Sequence, residues 1–147
     1  MNIKLSVIIP VYNAEKYIVA CMESLIHQIP TQAKYELVVI DDGSFDKSLD
    51  ICREYANNYN FIHVFHQSNQ GVSCARNLGI QKSQGEYVTF VDADDWVEKD
   101  FVNNIIQNID NIDVFIFDGF INKHNTANKN HFWFKDTMFD NNKSLLI

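Results

Sequence analysis

The residues best placed to do chemistry are three aspartates in four positions, Asp92-Ala93-Asp94-Asp95, directly behind the apolar run Tyr87-Val-Thr-Phe-Val91. Carboxylates this close repel one another and raise each other's pKa unless a cation or a donor compensates. Hard divalent ions with oxygen ligands, Mg²⁺ or Mn²⁺, suit such a cluster. A lone Asp at that place would read as the cap of the next helix; three together favour a metal site. Two further groups stand behind apolar runs: Pro10-Val-Tyr12-Asn13 and Asp41-Asp42. Tyr12 offers a ring face on which a planar base stacks, and an Asp at a strand end accepts from a ring or sugar donor. A nucleoside diphosphate with its metal would engage all three strand-end groups. Arg76 and Asn77 lie near the start of a later helix, where the Arg would either bind phosphate or hold the acidic loop in place, and that helix start itself favours an anion.

They converge only if the segments before them are strands ending at one edge of a sheet. Leu5 to Val11 reads as a first buried strand stopped by Pro10, which cannot donate to a central ladder. Asn13 is set to cap a helix whose apolar face is Ile18, Cys21, Met22, Leu25, Ile26 and Ile29, closed by Pro30. Glu36–Ile40 is the second strand, and Asp41-Asp42-Gly43-Ser44 is a turn in which Ser44 caps a helix carrying Leu49, Cys52, Ala56 and Tyr59. A third strand spans Phe61–Phe65. A polar segment, Gln67–Gly71, leads into a helix from Val72 to Gln81, and Gly85 turns the chain into the run at Tyr87. That run, rich in β-branched and aromatic residues, suits burial on both faces. Beyond Trp96 a helix carries Phe101, Val102, Ile105, Ile106 and Ile109, and Asp113–Phe117 makes a last strand.

Regular alternation of strand and helix predicts an α/β fold: a three-layer α/β/α sandwich around a mostly parallel, Rossmann-like sheet. Open sheets of this kind bind ligands at the carboxyl edge, where the aspartates and Tyr12 would lie. At 147 residues the chain fits one domain. Past Gly119 its character changes to a polar stretch and then the aromatic cluster His131-Phe-Trp-Phe134. Residues 1–119 are therefore expected to form the ligand-binding domain and 120–147 the start of an unfinished segment, whose exposed aromatics would pack on a missing segment or a partner, a second copy of the chain included.

The net charge of −7 argues against wrapping a nucleic-acid backbone, although a bound cation would still admit a phosphate ligand. Cys21, Cys52 and Cys74 have no metal spacing and cannot all pair, which predicts buried thiols in a reducing compartment, with the cytoplasm as the default. No leader or membrane-length apolar run is visible. His63 and His66 flank Val64 and Phe65, are expected on one side of their strand, and read as structural or incidental. Phosphate loops of the Gly-x-x-x-x-Gly-Lys and Gly-x-Gly-x-x-Gly types are absent, and an EF-hand starting at Asp92 would put Val97 where glycine is required.

Four stretches, taken together and in this order, resemble the nucleotide-sugar glycosyltransferases of family 2, inverting enzymes of the GT-A fold. They are Ser6-Val-Ile-Ile-Pro-Val-Tyr-Asn13, Val38-Val-Ile-Asp-Asp-Gly-Ser44, Asn69-Gln-Gly-Val-Ser-Cys-Ala-Arg-Asn-Leu-Gly-Ile80 and Gly85-Glu-Tyr-Val-Thr-Phe-Val-Asp-Ala-Asp-Asp95. The resemblance implies that Pro10 and Tyr12 border the nucleotide base and that Asp42 hydrogen-bonds it. It implies also that Asp92 and Asp94 form the family's Asp-x-Asp element, Asp94 reaching a Mg²⁺ or Mn²⁺ on the diphosphate and Asp92 the ribose or sugar. Asp95, Arg76 and Asn77 support the donor, and Asn13, Glu15, Asp41 and Ala93 complete the expected donor site.

The activity implied is transfer of a sugar, from a UDP-sugar in the first instance, to an acceptor hydroxyl with inversion, in the synthesis of cell-surface polysaccharide or glycan. The acceptor would be a glycan or lipid-linked molecule, with peripheral membrane association as one expectation. The family's catalytic base is a carboxylate in a Glu-Asp-like motif that this sequence lacks. Asp118, Asp136 and Asp140 are the only late acids to consider, and none has that context. The base is therefore expected beyond the chain end. Two rivals share a strand running into aspartates. A phosphoaspartyl phosphatase would need a downstream Lys and a second acidic pair, and a signalling receiver domain would carry its Asp pair after the first strand.

Overall fold

The computed structural model describes residues 2–29 and 34–109, all within a compact unit spanning Met1–Asn111. The described elements alternate: β1 (Ile3–Val11), α1 (Ile18–Ile26), β2 (Lys34–Asp42), α2 (Ser48–Asn58), β3 (Ile62–Gln67), α3 (Val72–Lys82), β4 (Tyr87–Phe90) and α4 (Phe101–Asn108). The four strands form one sheet in the order β3-β2-β1-β4, every pairing parallel. This is the expected α/β architecture. The chain steps outward from β1 through β2 to β3, then crosses back to place β4 on the far side of β1. With right-handed crossovers, α1 and α2 cover one face of the sheet and α3 the other.

Burial follows from that layering. In β1 and β2, Leu5, Val7, Ile8, Ile9, Val11 and Leu37–Ile40 are at most 1% exposed, as strands covered on both faces must be. Ile8, Val38 and Ile40 meet Ala75 of α3, with Phe65, Leu78 and Phe90 around them. On the opposite layer, Ile18, Cys21, Met22 and Leu25 of α1 and Cys52 of α2 are fully buried. A Cβ on Gly85 would lie 2.6 Å from the Ser6 amide nitrogen, so only glycine lets the α3–β4 turn approach β1.

Several boundaries differ from the sequence reading. β1 runs through Pro10, which pairs with Ile40, and ends at Val11. The last β1–β4 pair is Ile8 with Phe90, and Ile8 O accepts from Val91 N at 3.0 Å. Two residues on, Pro10 presents its missing donor on that same side, past the end of the ladder, where none is required. β2 likewise absorbs Asp41 and Asp42, both buried, so the turn starts only at Gly43 with φ +75°. Ile29 lies beyond the end of α1 and is exposed.

β4 is half-buried rather than doubly covered: among the described residues it is an edge strand, and Val88 is exposed. Cys74, expected inside, is exposed as well. His63 and His66, three apart along β3, fall on opposite faces, and each meets a buried acid of β2: His63 Nε2 is 3.4 Å from Glu36 and His66 Nδ1 is 2.8 Å from Asp41. The expected closure of α1 by Pro30, the strand at 113–117, the aromatic cluster and the boundary at 119 lie outside the described residues. No helix among the described residues is long and apolar enough to cross a membrane.

Candidate functional site

β1, β2 and β4 end at the same edge because all their pairings are parallel, and the segments that follow them build the site. A cleft of about 400 Å³ opens there, lined by Pro10, Tyr12, Asn13, Ala14 and Tyr17 after β1, Val72 and Arg76 of α3, and Asp92, Ala93 and Asp94 after β4. A hollow of about 460 Å³ at the opposite edge is lined by Asn2, Ile3, Gln84, Gly85 and Glu86 and gathers none of this chemistry.

Tyr12 sits at the mouth, 47% exposed, with Phe45 set edge-on to it at 6.5 Å between ring centres. Its loop is fixed to the loop after β2 by a run of hydrogen bonds. Asn13 N donates to Ser44 Oγ at 3.0 Å, and Phe45 N donates to Asn13 Oδ1 at 2.9 Å. Ala14 N donates to Ser48 Oγ at 2.8 Å, Glu15 N to Asp46 Oδ2 at 3.0 Å, and Lys47 N to Glu15 Oε2 at 3.1 Å. Asn13 is therefore no helix cap: it holds φ +49°, a left-handed conformation that asparagine tolerates, and α1 begins five residues later. Ser44 does not cap α2 either. Asp46 does so from two residues upstream, accepting from Ser48 N at 2.9 Å and Ser48 Oγ at 2.5 Å. Slight burial works against it, but the bonds from Ser48 and Glu15 hold the Asp46 carboxyl below the usual aspartate range.

Asp42, 3% exposed, shapes the next wall. Its Oδ1 accepts from Gln67 Nε2 at 2.7 Å and Gln70 N at 2.8 Å, and its Oδ2 from Gly71 N at 2.8 Å. These bonds aim the β3–α3 loop so that α3 starts beside the cleft. Asp41 turns the other way, with Oδ2 accepting from Ser44 N at 3.3 Å and lying 2.8 Å from His66 Nδ1.

The acidic segment forms a tight turn, Asp95 N donating to Asp92 O at 3.0 Å. Asp92 Oδ1 is 2.7 Å from a terminal nitrogen of Arg76, whose guanidinium lies over the Phe90 ring. Asp94 is exposed and has no hydrogen-bond or ion-pair partner among the described residues. Partial desolvation, then Asp94 and Asp92, raises the Asp95 carboxyl above its ordinary value.

Of the residues singled out from the sequence, Pro10, Tyr12, Asn13, Arg76, Asp92, Ala93 and Asp94 line the cleft. Glu15, Asp41, Asp42, Asn77 and Asp95 do not; Glu15, Asp41 and Asp42 direct their carboxylates to loop backbone or a neighbouring strand, while Asn77 and Asp95 are exposed outside it. Ala14, Tyr17 and Val72 are additional lining residues. Tyr17 and Val72 are exposed at helix starts, and the sequence carries no signal for this, since apolar residues there read equally well as core. Among the described residues no three His, Cys, Asp or Glu side chains converge as a ready-made metal cage.

Comparison with known proteins places this arrangement. The model of the family described as "Glycosyl transferase family 2" matches residues 6–145. Glycosyltransferase GlyA of Streptococcus pneumoniae serotype 4 is 45% identical over 106 residues, covering 72% of this chain and 15% of that protein. The uncharacterized glycosyltransferase YibD of Escherichia coli is 53% identical over 94 residues, covering 64% of this chain and 27% of the other. Among solved structures, S. aureus TarS 1-349 in complex with UDP-GlcNAc matches with a TM-score of 0.66 and 37% identity, over 71% of this chain and 30% of that one. The mannosyltransferase PcManGT from Pyrobaculum calidifontis, in complex with GDP-Man and Mn²⁺, matches with a TM-score of 0.65 and 25% identity, over 73% and 32%. The expected GT-A arrangement is the one these glycosyltransferases share. The chain spans 15% of GlyA and 27% of YibD, and less than a third of the matched TarS and PcManGT chains. By the family model, which runs through nearly its whole length, this chain belongs to glycosyl transferase family 2.

Proposed function

We propose that the chain is the donor-binding part of a glycosyltransferase that moves a sugar from a nucleoside diphosphate, UDP in the first instance, to an acceptor hydroxyl with inversion, in the making of a surface glycan or polysaccharide. The observation that carries this reading is the cleft itself. It brings an exposed aromatic ring, an arginine and the Asp92-Ala93-Asp94 turn together at the carboxyl edge of a parallel sheet. Support for the donor class comes from TarS, solved with UDP-GlcNAc and with UDP, and support for a surface polymer from relatives named minor teichoic acid biosynthesis protein GgaB and poly(ribitol-phosphate) beta-glucosyltransferase. The receiver and phosphatase readings give way to the family assignment.

In this reading the base stacks on Tyr12 beside Pro10. A carboxylate has about four lone-pair positions, and Asp42 spends three on Gln67 of β3 and the backbone of Gln70 and Gly71, leaving one for a base N–H. Arg76 supplies positive charge for the diphosphate, aided by the start of α3. Asp92 serves the ribose or the sugar.

A divalent cation fits the residues present. Asp94 offers a carboxylate unengaged among the described residues, Asp92 stands two positions away, and Mg²⁺ and Mn²⁺ sites commonly use one or two carboxylates with phosphate oxygens and water filling the rest. When bound, such an ion offsets charge on the departing diphosphate. Asp118, Asp136 and Asp140, the late acids weighed as a base for the acceptor hydroxyl, lie outside the described residues. The proposal therefore assigns no base within this chain.

The test is a thermal-shift titration with UDP, GDP and dTDP, each with and without Mn²⁺. Stabilisation by UDP that requires Mn²⁺ and disappears in Asp94→Ala supports the reading; indifference to all three nucleotides refutes it.

A further inference from the structure

Arg76 and Asp92 hold each other in an arrangement that leaves both incompletely used. One terminal guanidinium nitrogen reaches Asp92 Oδ1 at 2.7 Å, so the contact is one-pronged. The Arg76 Nε, on the same fork, is buried and has no hydrogen-bond partner. A buried donor left unpaired is costly, which weakens the net hold of the pair. The pair is also partly open, with side chains 37% and 48% exposed, so solvent screens the attraction further. Guanidinium forks are fully satisfied by two-pronged binding to a planar carboxylate or a phosphate, where Nε and a terminal nitrogen donate side by side. Arg76 and Asp92 both line the cleft with Asp94.

We propose that Arg76 is a positioning residue that pairs with Asp92 until the donor binds and then exchanges it for the donor's diphosphate. The exchange satisfies Nε and releases the Asp92 carboxylate. This deepens the donor-site reading and rests on it. Its consequence is an order of events: without nucleotide, Asp92 is engaged by Arg76 and the site holds a divalent cation poorly; with the diphosphate in place, both aspartates are open to the cation. Donor and cation then bind cooperatively, through an exchange of partners by one side chain.

The experiment measures Mn²⁺ affinity of the nucleotide-free chain by the loss of the free-ion EPR signal, in a double-mutant cycle. Arg76→Gln is expected to bind Mn²⁺ about fivefold or more tightly than the unaltered chain, and this gain is expected to vanish when Asp92→Asn is already present. No gain, or an equal gain in both backgrounds, overturns the proposal. An equal gain would be the general effect of deleting a positive charge, which Asp94 and Asp95 would still feel. Arg76→Lys keeps the charge and loses the fork, so UDP with Mn²⁺ should bind it several-fold more weakly; equal affinity overturns the exchange. Melting curves confirm that each variant is folded. UDP with Mn²⁺ on the unaltered chain reads the donor site separately: failure there refutes the donor reading, whereas failure of the cycle alone refutes only the exchange.

Discussion

Gly79 of α3 lies so close to Ile8 of β1 that a Cβ on the glycine would overlap the Ile8 Cγ2 methyl. Both residues are buried, and α3 is the element that carries Arg76 to the cleft. Inside a helix, Gly→Ala ordinarily stabilises by up to about 1 kcal/mol. Here overpacking decides the sign. Gly79→Ala is expected to destabilise by about 1–3 kcal/mol, read as a lower denaturant midpoint, and to weaken UDP binding as α3 moves outward. An unchanged or raised midpoint would show that α3 packs more loosely than described.

Asp46 is expected to matter for stability although it lies outside the cleft. Asp46→Ala removes the cap of α2 and one of the bonds between the two loops, for a loss of about 1 kcal/mol or more. Because its carboxyl is held below the ordinary aspartate value, its contribution is present above the unfolded-state pKa and is lost as pH falls through the lower folded value. Denaturation of the unaltered and Asp46→Ala chains should therefore differ at pH 7 and converge in acid; a constant difference would argue against the charge.

Tyr12 tests the base subsite directly. Stacking of a base on an aromatic ring is worth about 1–3 kcal/mol, so Tyr12→Ala should lower UDP affinity by about tenfold, while Tyr12→Phe should leave it nearly unchanged. Calorimetric titration distinguishes them. A Phe variant as weak as the Ala variant would assign the contribution to the hydroxyl instead.

The thiols separate by burial. Desolvation, then nearby carboxylates and Cys52, pushes Cys21 up to about 12, while burial, then Asp41, pushes Cys52 up to about 12. Cys74 is exposed. Iodoacetamide at pH 8 should modify Cys74 in the folded chain and all three thiols in denaturant. The same shifts have a stability consequence. Between about pH 9 and 12 the unfolded chain gives up thiol protons that the folded chain retains, so stability falls as pH rises through that window. Cys21→Ala with Cys52→Ala should flatten that fall.

The layers of the fold were legible because burial imposes periods: Ile18, Cys21, Met22 and Leu25 repeat as a helix, and the apolar runs of β1 and β2 read as doubly covered strands. The Asp92–Asp94 turn was legible because clustered carboxylates are costly without compensation. What stayed hidden depends on residues far apart in sequence. Asp42 looked like part of a turn because its partners, Gln67, Gln70 and Gly71, lie beyond α2, at the end of β3 and in the segment that leads into α3. Asn13 and Ser44 look like helix caps from local spacing, yet each is spent on the other's loop. The pairing of His66 with Asp41 follows from the β2–β3 register, which sequence alone does not supply.

The stitching between the loops after β1 and β2 relies on the side chains of Asn13, Glu15, Ser44, Asp46 and Ser48, each accepting from a backbone N–H. Phe45 and Lys47 contribute only their backbone to it, and the Phe45 ring is 87% exposed. Backbone course and surface chemistry are thereby decoupled at this corner. Side chains at 45 and 47 can change without breaking these hydrogen bonds, with the edge-on contact of the Phe45 ring on Tyr12 the side-chain contribution at stake. This rim of the cleft is a place where descendants of the chain can acquire new neighbours for a ligand while inheriting the same scaffold.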